Sequence, residues 1–329
     1  MGFVLGAAPE WPKPLFKRRR EELRNTIGLI GTITYDEITF DSGERLEGIG
    51  GVFYQAAVLC GLGREVCLFS NLGQELVQDV EQITGGWTSL HREYVRIVPG
   101  PGNRVHLHYP EKGERVEVLK SVVPPLSIGP ILENLSELTM LILVINSGFD
   151  LELREWREIV QRASCPLWID IHSLPLARKL NIRREYLPLI EWREWVEGVE
   201  YLQANMKEVA SMFGHPEKRP SGPDISRFAE SAFPLGVKAV FVTQGKEAVL
   251  VLTPEEKRKI YPQKIEEVVD TTGCGDAFCG ATASRLIDGD DPFKAASFGL
   301  KLATKAASVR GIEETYNLAL TISGVRPLY

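Results

Sequence analysis

Cysteine is scarce in this chain, and long apolar runs are missing from it. Five cysteines occur among the 329 residues, and none of them forms a C-x-x-C pair. A secreted protein held together by disulfides would show paired spacings, so this pattern favours a reducing compartment. No uninterrupted apolar run reaches the roughly 18 residues that a membrane helix needs. We therefore expect a cytoplasmic protein with no membrane partner.

An excess of basic residues is also missing. Lysine and arginine number 38 against 44 acidic residues, which gives a formal net charge of −6. This balance argues against nucleic acid as the main partner. A short basic cluster at 17–20 follows an apolar stretch, which reverses the order of a secretory signal. Residues 1–25, with three prolines between Pro9 and Pro14, are predicted to be a loose N-terminal extension.

Several common catalytic signatures do not occur. The sequence contains no G-x-x-x-x-G-K-[ST], no G-x-S-x-G and no H-E-x-x-H. Two candidates for the dinucleotide motif G-x-G-x-x-G remain incomplete, because Phe53 and Val66 occupy the third glycine positions. These absences argue against a phosphate-loop ATPase, a serine hydrolase of the α/β-hydrolase type, a zinc peptidase and a dinucleotide-dependent enzyme.

The residues that are present alternate between strand and helix patterns from about residue 26 to the end. This alternation predicts one α/β domain, 26–329, with a mostly parallel central sheet covered by helices on both faces. The segments at about 33–47 and 92–120 instead alternate apolar and polar residues around turns. They predict a small β-sheet lid, of the kind that closes over a substrate.

The segment Val269–Gly280, with the sequence VDTTGCGDAFCG, carries the chemistry. It predicts a strand at 268–269, a turn, and a helix that starts near Asp276. Free amides of Cys274, Gly275 and Asp276 would form an anion site at the helix start. An Asp in such a site is expected to accept a proton from a hydroxyl that attacks the bound phosphorus. The alternative is that Asp276 only caps the helix.

This segment resembles the D-T-x-G-A-G-D signature of the PfkB/ribokinase family of carbohydrate and nucleoside kinases. Four further features resemble the family in the same order along the chain: the first strand with its acidic residue, the di-glycine before a helix, the N-x-x-E motif and the V-T-x-G segment. They are Ile27–Asp36, Gly50-Gly51, Asn205–Glu208 and Val242–Gly245. The resemblance implies a ribokinase-like α/β/α fold with a β lid.

The resemblance also implies roles for individual residues. Asp276 would be the catalytic base, and the backbone of Gly273, Cys274 and Gly275 would stabilise the transferred phosphoryl group. Glu208 would hold Mg²⁺ through water. The remaining expected contacts are Asn205 at the triphosphate of ATP, Thr243 and Gly245 at the nucleotide, Asp36, Gly50 and Gly51 at the acceptor, and Asp270 and Thr272, with the backbone near 308–311, at a monovalent cation such as K⁺. Many lids of the family pair to form homodimers.

The chain departs from the family pattern near the acceptor. Gln55 stands near the position of an Asn that grips the sugar, and Val52 replaces a Lys found in ribokinase itself, which argues against ribose. Asp170, at the carboxyl end of a strand, is a further candidate for the acceptor pocket. His106 and His108 share one face of a lid strand and are interpreted as a polar surface, although a histidine contact with the acceptor stays open.

Together these features predict ATP- and Mg²⁺-dependent phosphoryl transfer to a hydroxyl, most simply a hydroxymethyl, of a sugar or nucleoside. Two alternatives stay open. The first is a catalytically idle relative that only binds a sugar or nucleotide. The second is a vitamin-type kinase of the same superfold, against which the lid and the di-glycine argue.

Overall fold

The structure is a computed structural model that describes residues 26–111 and 115–324. The predicted extension, residues 1–25, lies outside the described residues. The strands are β1 Thr26–Ile30, β2 Ile33–Phe40, β3 Arg45–Gly51, β4 Glu65–Gly73, β5 Leu90–His91, β6 Val95–Val98, β7 Asn103–Tyr109, β8 Val116–Ser121, β9 Met140–Val144, β10 Leu167–Asp170, β11 Tyr201–Asn205, β12 Ala239–Thr243, β13 Val249–Leu252 and β14 Lys257–Ile260. The helices are α1 Phe53–Gly61, α2 Val77–Thr84, α3 Gly129–Asn134, α4 Leu153–Arg162, α5 Trp192–Val196, α6 Met206–Met212, α7 Gly222–Ala232, α8 Cys274–Ile287, α9 Pro292–Ala306 and α10 Gly311–Ser323.

The large sheet confirms the predicted α/β architecture. Its order is β14-β13-β12-β11-β10-β9-β1-β4-β5, and β6 pairs with the second half of β4. The strands from β12 to β5 pair in parallel, whereas β13 and β14 add an antiparallel edge. Parallel strands buried on both faces need near-continuous apolar sequence. The fully buried strands β1 and β9, TIGLI and MLILV, show this pattern.

Alternate strand residues feed two separate cores, one on each face of the sheet. One core packs the strands against α1, α8, α9 and α10, and the other packs them against α3 to α7. Trp156, Trp192 and Trp195 are buried in the second core, as the sequence predicts for packing residues. None of the helices in the described residues has the length and apolar character needed to cross a membrane.

The lid is a four-stranded sheet of order β3-β2-β7-β8 with a small core around Val105 and Leu107. Because strand residues alternate between faces, His106 and His108 lie on the opposite lid face. There His106 Nε2 and His108 Nδ1 each lie 3.0 Å from the Thr39 hydroxyl. The histidines therefore lie on the lid face opposite to Val105 and Leu107.

Four local predictions differ from the structure. The segment 92–120 was expected to be lid throughout, but β6 belongs beside β4 in the large sheet, so the second lid segment starts at β7. No strand forms at 268–269, because Val269 N–H donates to Ala307 O, just after α9, rather than to a neighbouring strand. The sequence pattern also predicts a helix over 187–197, of which only Trp192–Val196 is helical, and a helix over 292–309, which ends at Ala306 before α10 begins.

Helix α1 lies between α8 and α10, and glycines permit both close contacts. A Cβ at Gly61 would lie 2.6 Å from the carbonyl oxygen of Tyr316 in α10. A Cβ at Gly280 in α8 would lie 3.2 Å from the carbonyl oxygen of Gln55 in α1. The helix that carries Gln55 is therefore supported on both sides.

Candidate active site

The loop before α8 is shaped by one glycine. Gly273 has φ +75°, a left-handed conformation that costs little only for glycine. A Cβ at this position would lie 2.2 Å from the ring of Tyr54 in α1. Both the backbone and the neighbouring ring therefore require glycine at the N-cap of α8.

The start of α8 presents unused amide groups. The first intrahelical bond runs from Ala277 N–H to Gly273 O at 2.7 Å, so the preceding amides have no acceptor within the helix. Cys274 N–H donates instead to Thr271 O across 3.3 Å, which differs from the expectation that this amide is free. Among the described residues the Gly275 amide has no backbone acceptor and remains to attract an anion, whereas the Asp276 amide faces its own carboxyl. A Cβ at Gly275 would meet nothing within 4 Å.

Asp276 lies in the first turn of α8 and is 8 % exposed. Its Oδ1 accepts a hydrogen bond from Gln55 Nε2. Burial raises the pKa of Asp276 above its usual value, while the charge of His172, the bond from Gln55 and the charge of Arg115 oppose that rise. Gln55, which was expected at the acceptor, thus holds the predicted base.

Two further buried carboxyl groups, those of Glu208 and Asp170, lie near Asp276. Burial raises the pKa of Glu208 to about 8, and it also raises the pKa of Asp170. Asp170 Oδ2 accepts a bond of 2.8 Å from Gln203 Nε2, and this nitrogen also donates to Gly275 O at 3.0 Å. Gln203 therefore ties the carboxyl of Asp170 to the loop that forms the anion site.

The N-x-x-E motif forms the start of α6. Asn205 Oδ1 accepts from the amides of Lys207 and Glu208 at 2.8 and 3.0 Å, and Glu208 Oε2 accepts from Asn205 N–H at 2.7 Å. Such a reciprocal cap fixes both side chains at a helix start. Asn205 and Glu208, the residues expected at the triphosphate and at Mg²⁺, are therefore held rigidly at the carboxyl end of β11.

Asp36 is held by its neighbours in the lid. Thr34 Oγ1 donates to Asp36 Oδ1 at 2.6 Å, and a Cβ at Gly50 would lie 2.0 Å from Asp36 Oδ2. Gly50 therefore makes room for the carboxyl group. Burial raises the pKa of Asp36 to about 7, with the Thr34 bond and the charge of Arg115 acting in the opposite direction.

A pocket of about 60 Å³ joins the lid to the start of α8. Five of the predicted residues line it: Asp36, Gly51, Thr272, Gly273 and Asp276. Eight further residues complete its wall: Thr34, Tyr54, Val105, Leu107, Arg115, Glu117, Asn146 and His172. Asp170 was expected at the acceptor but is not part of this wall, because its side chain bonds to Gln203.

Asn146 is a site residue that the sequence analysis missed. It is 5 % exposed, and neither polar atom of its side chain has a hydrogen-bond partner among the residues that the structure describes. A buried amide normally finds partners, so this one is available to a ligand. Asn146 follows the end of β9 by two residues, and the rule that suggested Asp170 could have suggested it.

His172 is a second missed residue, and its backbone is unusual. Its φ is +42°, and its ring Nδ1 contacts Ser173 Oγ at 3.0 Å. A non-glycine residue in this conformation is uncommon and concentrates at functional sites. Arg115 and Glu117 were also missed, since nothing in the local sequence of a lid strand indicates which charges turn inward.

Thr243 and Gly245, the residues expected at the nucleotide, lie at the same end of the large sheet as the start of α8. Thr243 is the last residue of β12, and Gly245 has φ +56° in the turn to β13. Thr243 pairs with Val249 in β13, which in turn pairs with Ile260 in β14. Ile260 and the following Tyr261 line a second cavity of about 340 Å³. Its other walls come from Gln263 and from residues of α9, namely Ser297, Phe298, Leu300 and Lys301.

The expected cation residues are placed together. Asp270 Oδ1 accepts from Thr272 N–H at 2.8 Å, and Asp270 N–H donates to Ala307 O at 3.2 Å. The Thr272 hydroxyl lies 3.1 Å from the hydroxyl of Tyr109 in the lid. This loop thus connects the lid, the start of α8 and the end of α9.

Within residues 26–111 and 115–324, no group of three or more His, Cys, Asp or Glu side chains is arranged to hold a metal ion. Mg²⁺ usually keeps several waters and binds through one or two carboxylates together with substrate phosphates. The single carboxylate of Glu208 near the anion site fits that mode.

The chain is similar to known carbohydrate and nucleoside kinases. Residues 175–317 match the model of the pfkB family carbohydrate kinase. A cytidine kinase from Thermococcus kodakarensis is 25% identical over 257 residues, which is 77% of this chain and 85% of that protein.

Two solved structures share the fold. Arabidopsis thaliana ribokinase complexed with ribose and ATP superposes with a TM-score of 0.71 at 18% identity, covering 92% of this chain and 99% of the other. A pyrophosphate-dependent kinase of the ribokinase family gives a TM-score of 0.73 at 15% identity, covering 89% and 99%. These two likenesses show the shared fold, while the family match and the cytidine kinase relative support one conclusion: this is a pfkB-type carbohydrate or nucleoside kinase, which is a phosphotransferase.

Proposed function

We propose that this kinase transfers the terminal phosphoryl group of ATP to a hydroxyl, most simply a hydroxymethyl, of a sugar or nucleoside. The observation that carries the proposal is the position of Asp276. Its buried carboxyl lines the pocket, in the same helical turn whose Gly275 amide is free to bind an anion.

The acceptor lies between the lid and α8 in this proposal. The Asp36 carboxyl and the unpartnered Asn146 amide bind hydroxyl groups of the acceptor, and Thr34 and Gly50 hold Asp36 in place. Gly51 gives the backbone its turn at the end of β3, with φ +63°. The small pocket orients one hydroxyl toward Asp276, and positioning of this kind supplies much of the rate.

The chemical step moves one proton and one phosphoryl group. Asp276 Oδ accepts the proton of the acceptor hydroxyl while the oxygen of that hydroxyl forms a bond to the terminal phosphorus of ATP. The bond between this phosphorus and the bridging oxygen breaks, which releases ADP. The amide of Gly275 stabilises the phosphoryl oxygens, with Gly273 and Cys274 shaping the turn. Gln55 holds the carboxylate in place.

The donor binds along the carboxyl edge of the large sheet. Thr243, Gly245 and the cavity beside Tyr261 and Phe298 accommodate the nucleoside part of ATP, and Asn205 lies beside the phosphates. Glu208 would hold Mg²⁺ through water, and the bound ion would neutralise charge on the phosphates. A cavity of about 340 Å³ supports a nucleotide donor over pyrophosphate, which has no base to fill it. Use of K⁺ at Asp270 and Thr272, dimerisation through the lid and a cytoplasmic location stay predictions.

The test measures product from ATP and Mg²⁺ across a panel of sugars, sugar phosphates and nucleosides, with pyrophosphate as a second donor. Asp276→Asn should lower turnover by about 10²- to 10⁴-fold, the usual contribution of a general base, while the melting temperature and nucleotide binding persist.

Asp224→Asn is the matched control, because Asp224 occupies the same third position of a helix, α7, where it caps the first turn. If Asp276 only caps α8, both variants should lose stability and keep turnover. Nucleotide binding by the wild type without product from any acceptor would support the idle relative instead.

A further inference from the structure

Arg115 brings a positive charge from the lid to the reacting centre. It directly precedes β8 and lines the pocket together with Thr272, Gly273 and Asp276. Among the described residues of that wall, it is the one Arg or Lys side chain. Its side chain is 39% exposed and contributes to the wall of the pocket that joins the lid to α8.

A buried ion pair sets the position of Arg115. Glu117 Oε2 lies 3.5 Å from Arg115 Nη2, while Glu117 Oε1 accepts from Arg184 Nη1 at 2.8 Å. The Arg184 side chain is fully buried, and it also donates to Ser147 O at 2.8 Å and to Ala177 O at 3.1 Å. Glu117 is therefore anchored to the α/β body and holds the lid arginine.

The backbone reinforces this link. Residues 181–184 of the body lie along the free edge of β8, with Arg184 N–H donating to Glu117 O at 2.9 Å and Asn181 N–H donating to Leu119 O at 2.8 Å. The lid strand that follows Arg115 is thus bonded to the body by main-chain and side-chain contacts.

The guanidinium has more donors than its partner uses. Arginine carries five N–H groups, and the contacts with Glu117, at 3.5 Å, and with the Tyr109 side chain leave others available. Burial raises the pKa of Asp36, Glu208 and Asp276, and the charge of Arg115 opposes the rise at all three. Its charge therefore reaches both the acceptor side and the donor side of the pocket.

We propose that Arg115 is a further catalytic residue, which donates hydrogen bonds to the equatorial oxygens of the phosphoryl group during transfer, with Glu117 and Arg184 as positioning residues. The inference rests on the proposed function. Planar guanidinium groups suit this role because the transferring phosphoryl group spreads its charge over three oxygens. An anionic group of the acceptor is a poorer partner, since it would also face the carboxyls of Asp36 and Glu117 in the same pocket wall.

The first experiment uses an analogue of the transferring group and needs no known acceptor. The melting temperature is measured with ADP·Mg²⁺ and with ADP·Mg²⁺ plus fluoroaluminate, which mimics the planar phosphoryl group. Arg115→Met should keep the rise given by ADP·Mg²⁺ and lose the additional rise given by fluoroaluminate. Arg104→Met is the control, because Arg104 lies in the same lid but faces Glu37 and Glu75 outside the pocket wall.

Turnover provides the second readout once the panel has identified an acceptor. Arg115→Met should lower kcat by about 10²-fold or more with the KM of the acceptor unchanged, and Arg115→Lys should recover part of the loss. Glu117→Gln, which removes the charge that holds Arg115, should lower kcat in the same direction with a smaller effect.

The outcomes separate the two ideas. A wild-type protein that ADP·Mg²⁺ does not stabilise contradicts the proposed function itself. Stabilisation by ADP·Mg²⁺ with no additional rise from fluoroaluminate in the wild type, or an additional rise that survives Arg115→Met, overturns only the role of Arg115. A variant whose acceptor KM rises while kcat is kept would assign Arg115 to acceptor binding and also overturn it.

Discussion

Asp36 is a buried carboxyl whose ionisation opposes folding, and Asp36→Asn removes that ionisation. Its pKa is about 7 in the folded protein against 3.8 for an unperturbed carboxyl. At about 1.4 kcal/mol per pH unit, this difference corresponds to a penalty of about 4 kcal/mol when the group is ionised in both states. Asparagine keeps an oxygen that can accept the hydrogen bond from Thr34, so the variant loses little else.

The sign of the effect follows from proton binding. Below about pH 4 the carboxyl is protonated in both states, and Asp36→Asn should not change the free energy of unfolding. As pH rises from 4 to 7, the unfolded chain ionises while the folded protein keeps its proton, so the wild type loses stability. Above pH 7 the penalty is complete, and the variant should exceed the wild type by up to about 4 kcal/mol.

The assay is thermal unfolding of both proteins at pH values from 4.5 to 8.5. Glu37→Gln is the control, because Glu37 is the next residue in β2 and its side chain is 42% exposed. The gain in Tm for Asp36→Asn should grow with pH, whereas the control should show no such trend. A gain of equal size at every pH, or no gain at pH 8, would refute the reasoning. The KM of the acceptor should rise in the variant, since it lacks the carboxylate.

Two further variants test the geometry of the site. Gly273→Ala should lower the free energy of unfolding by about 2 kcal/mol or more, because alanine is strained at φ +75° and its Cβ would overlap the Tyr54 ring. Gly275→Ala is the control and should leave Tm within about 1 °C, since its Cβ meets nothing. Denaturant unfolding compares the two variants, and equal losses of stability would contradict the steric account. Asn146→Ala should raise the acceptor KM at least about tenfold with little change in Tm, because its side chain has no hydrogen bond to lose among the described residues. A large drop in Tm would show instead that the amide stabilises the fold.

The sequence predicted the elements that follow strong periodicity. The strands of the large sheet are apolar on both faces, and glycines mark the helix ends, so the layered architecture could be predicted. The DTTGCGD loop was also recognisable, because Gly273 is required by backbone geometry that any sequence with this turn must satisfy. Helix α5 could not be bounded correctly, since its short apolar pattern continues into neighbouring residues that pack without forming a helix.

The site was predicted only where a residue lies within a local motif. Asn205 and Glu208 cap the start of α6, and Asp276 lies in the first turn of α8, so all three stand at fixed spacings within motifs of the sequence. The pairing of Glu117 with Arg184, which anchors the neighbour of Arg115, depends on contact between chain segments 67 residues apart. No periodicity records that contact. Asp170 shows the reverse case, because its position at a strand end suggested the pocket but its side chain bonds to Gln203.

The placement of α1 between α8 and α10 has a consequence for the biosynthesis of the enzyme. The residue that holds Asp276 lies in α1, near the beginning of the described chain, and α1 leans on a helix near the end of it. A nascent chain therefore carries Gln55 and Asp276 before it has α10, the helix that packs against α1. We expect the contact between these two side chains to become ordered only when α10 has left the ribosome and docked.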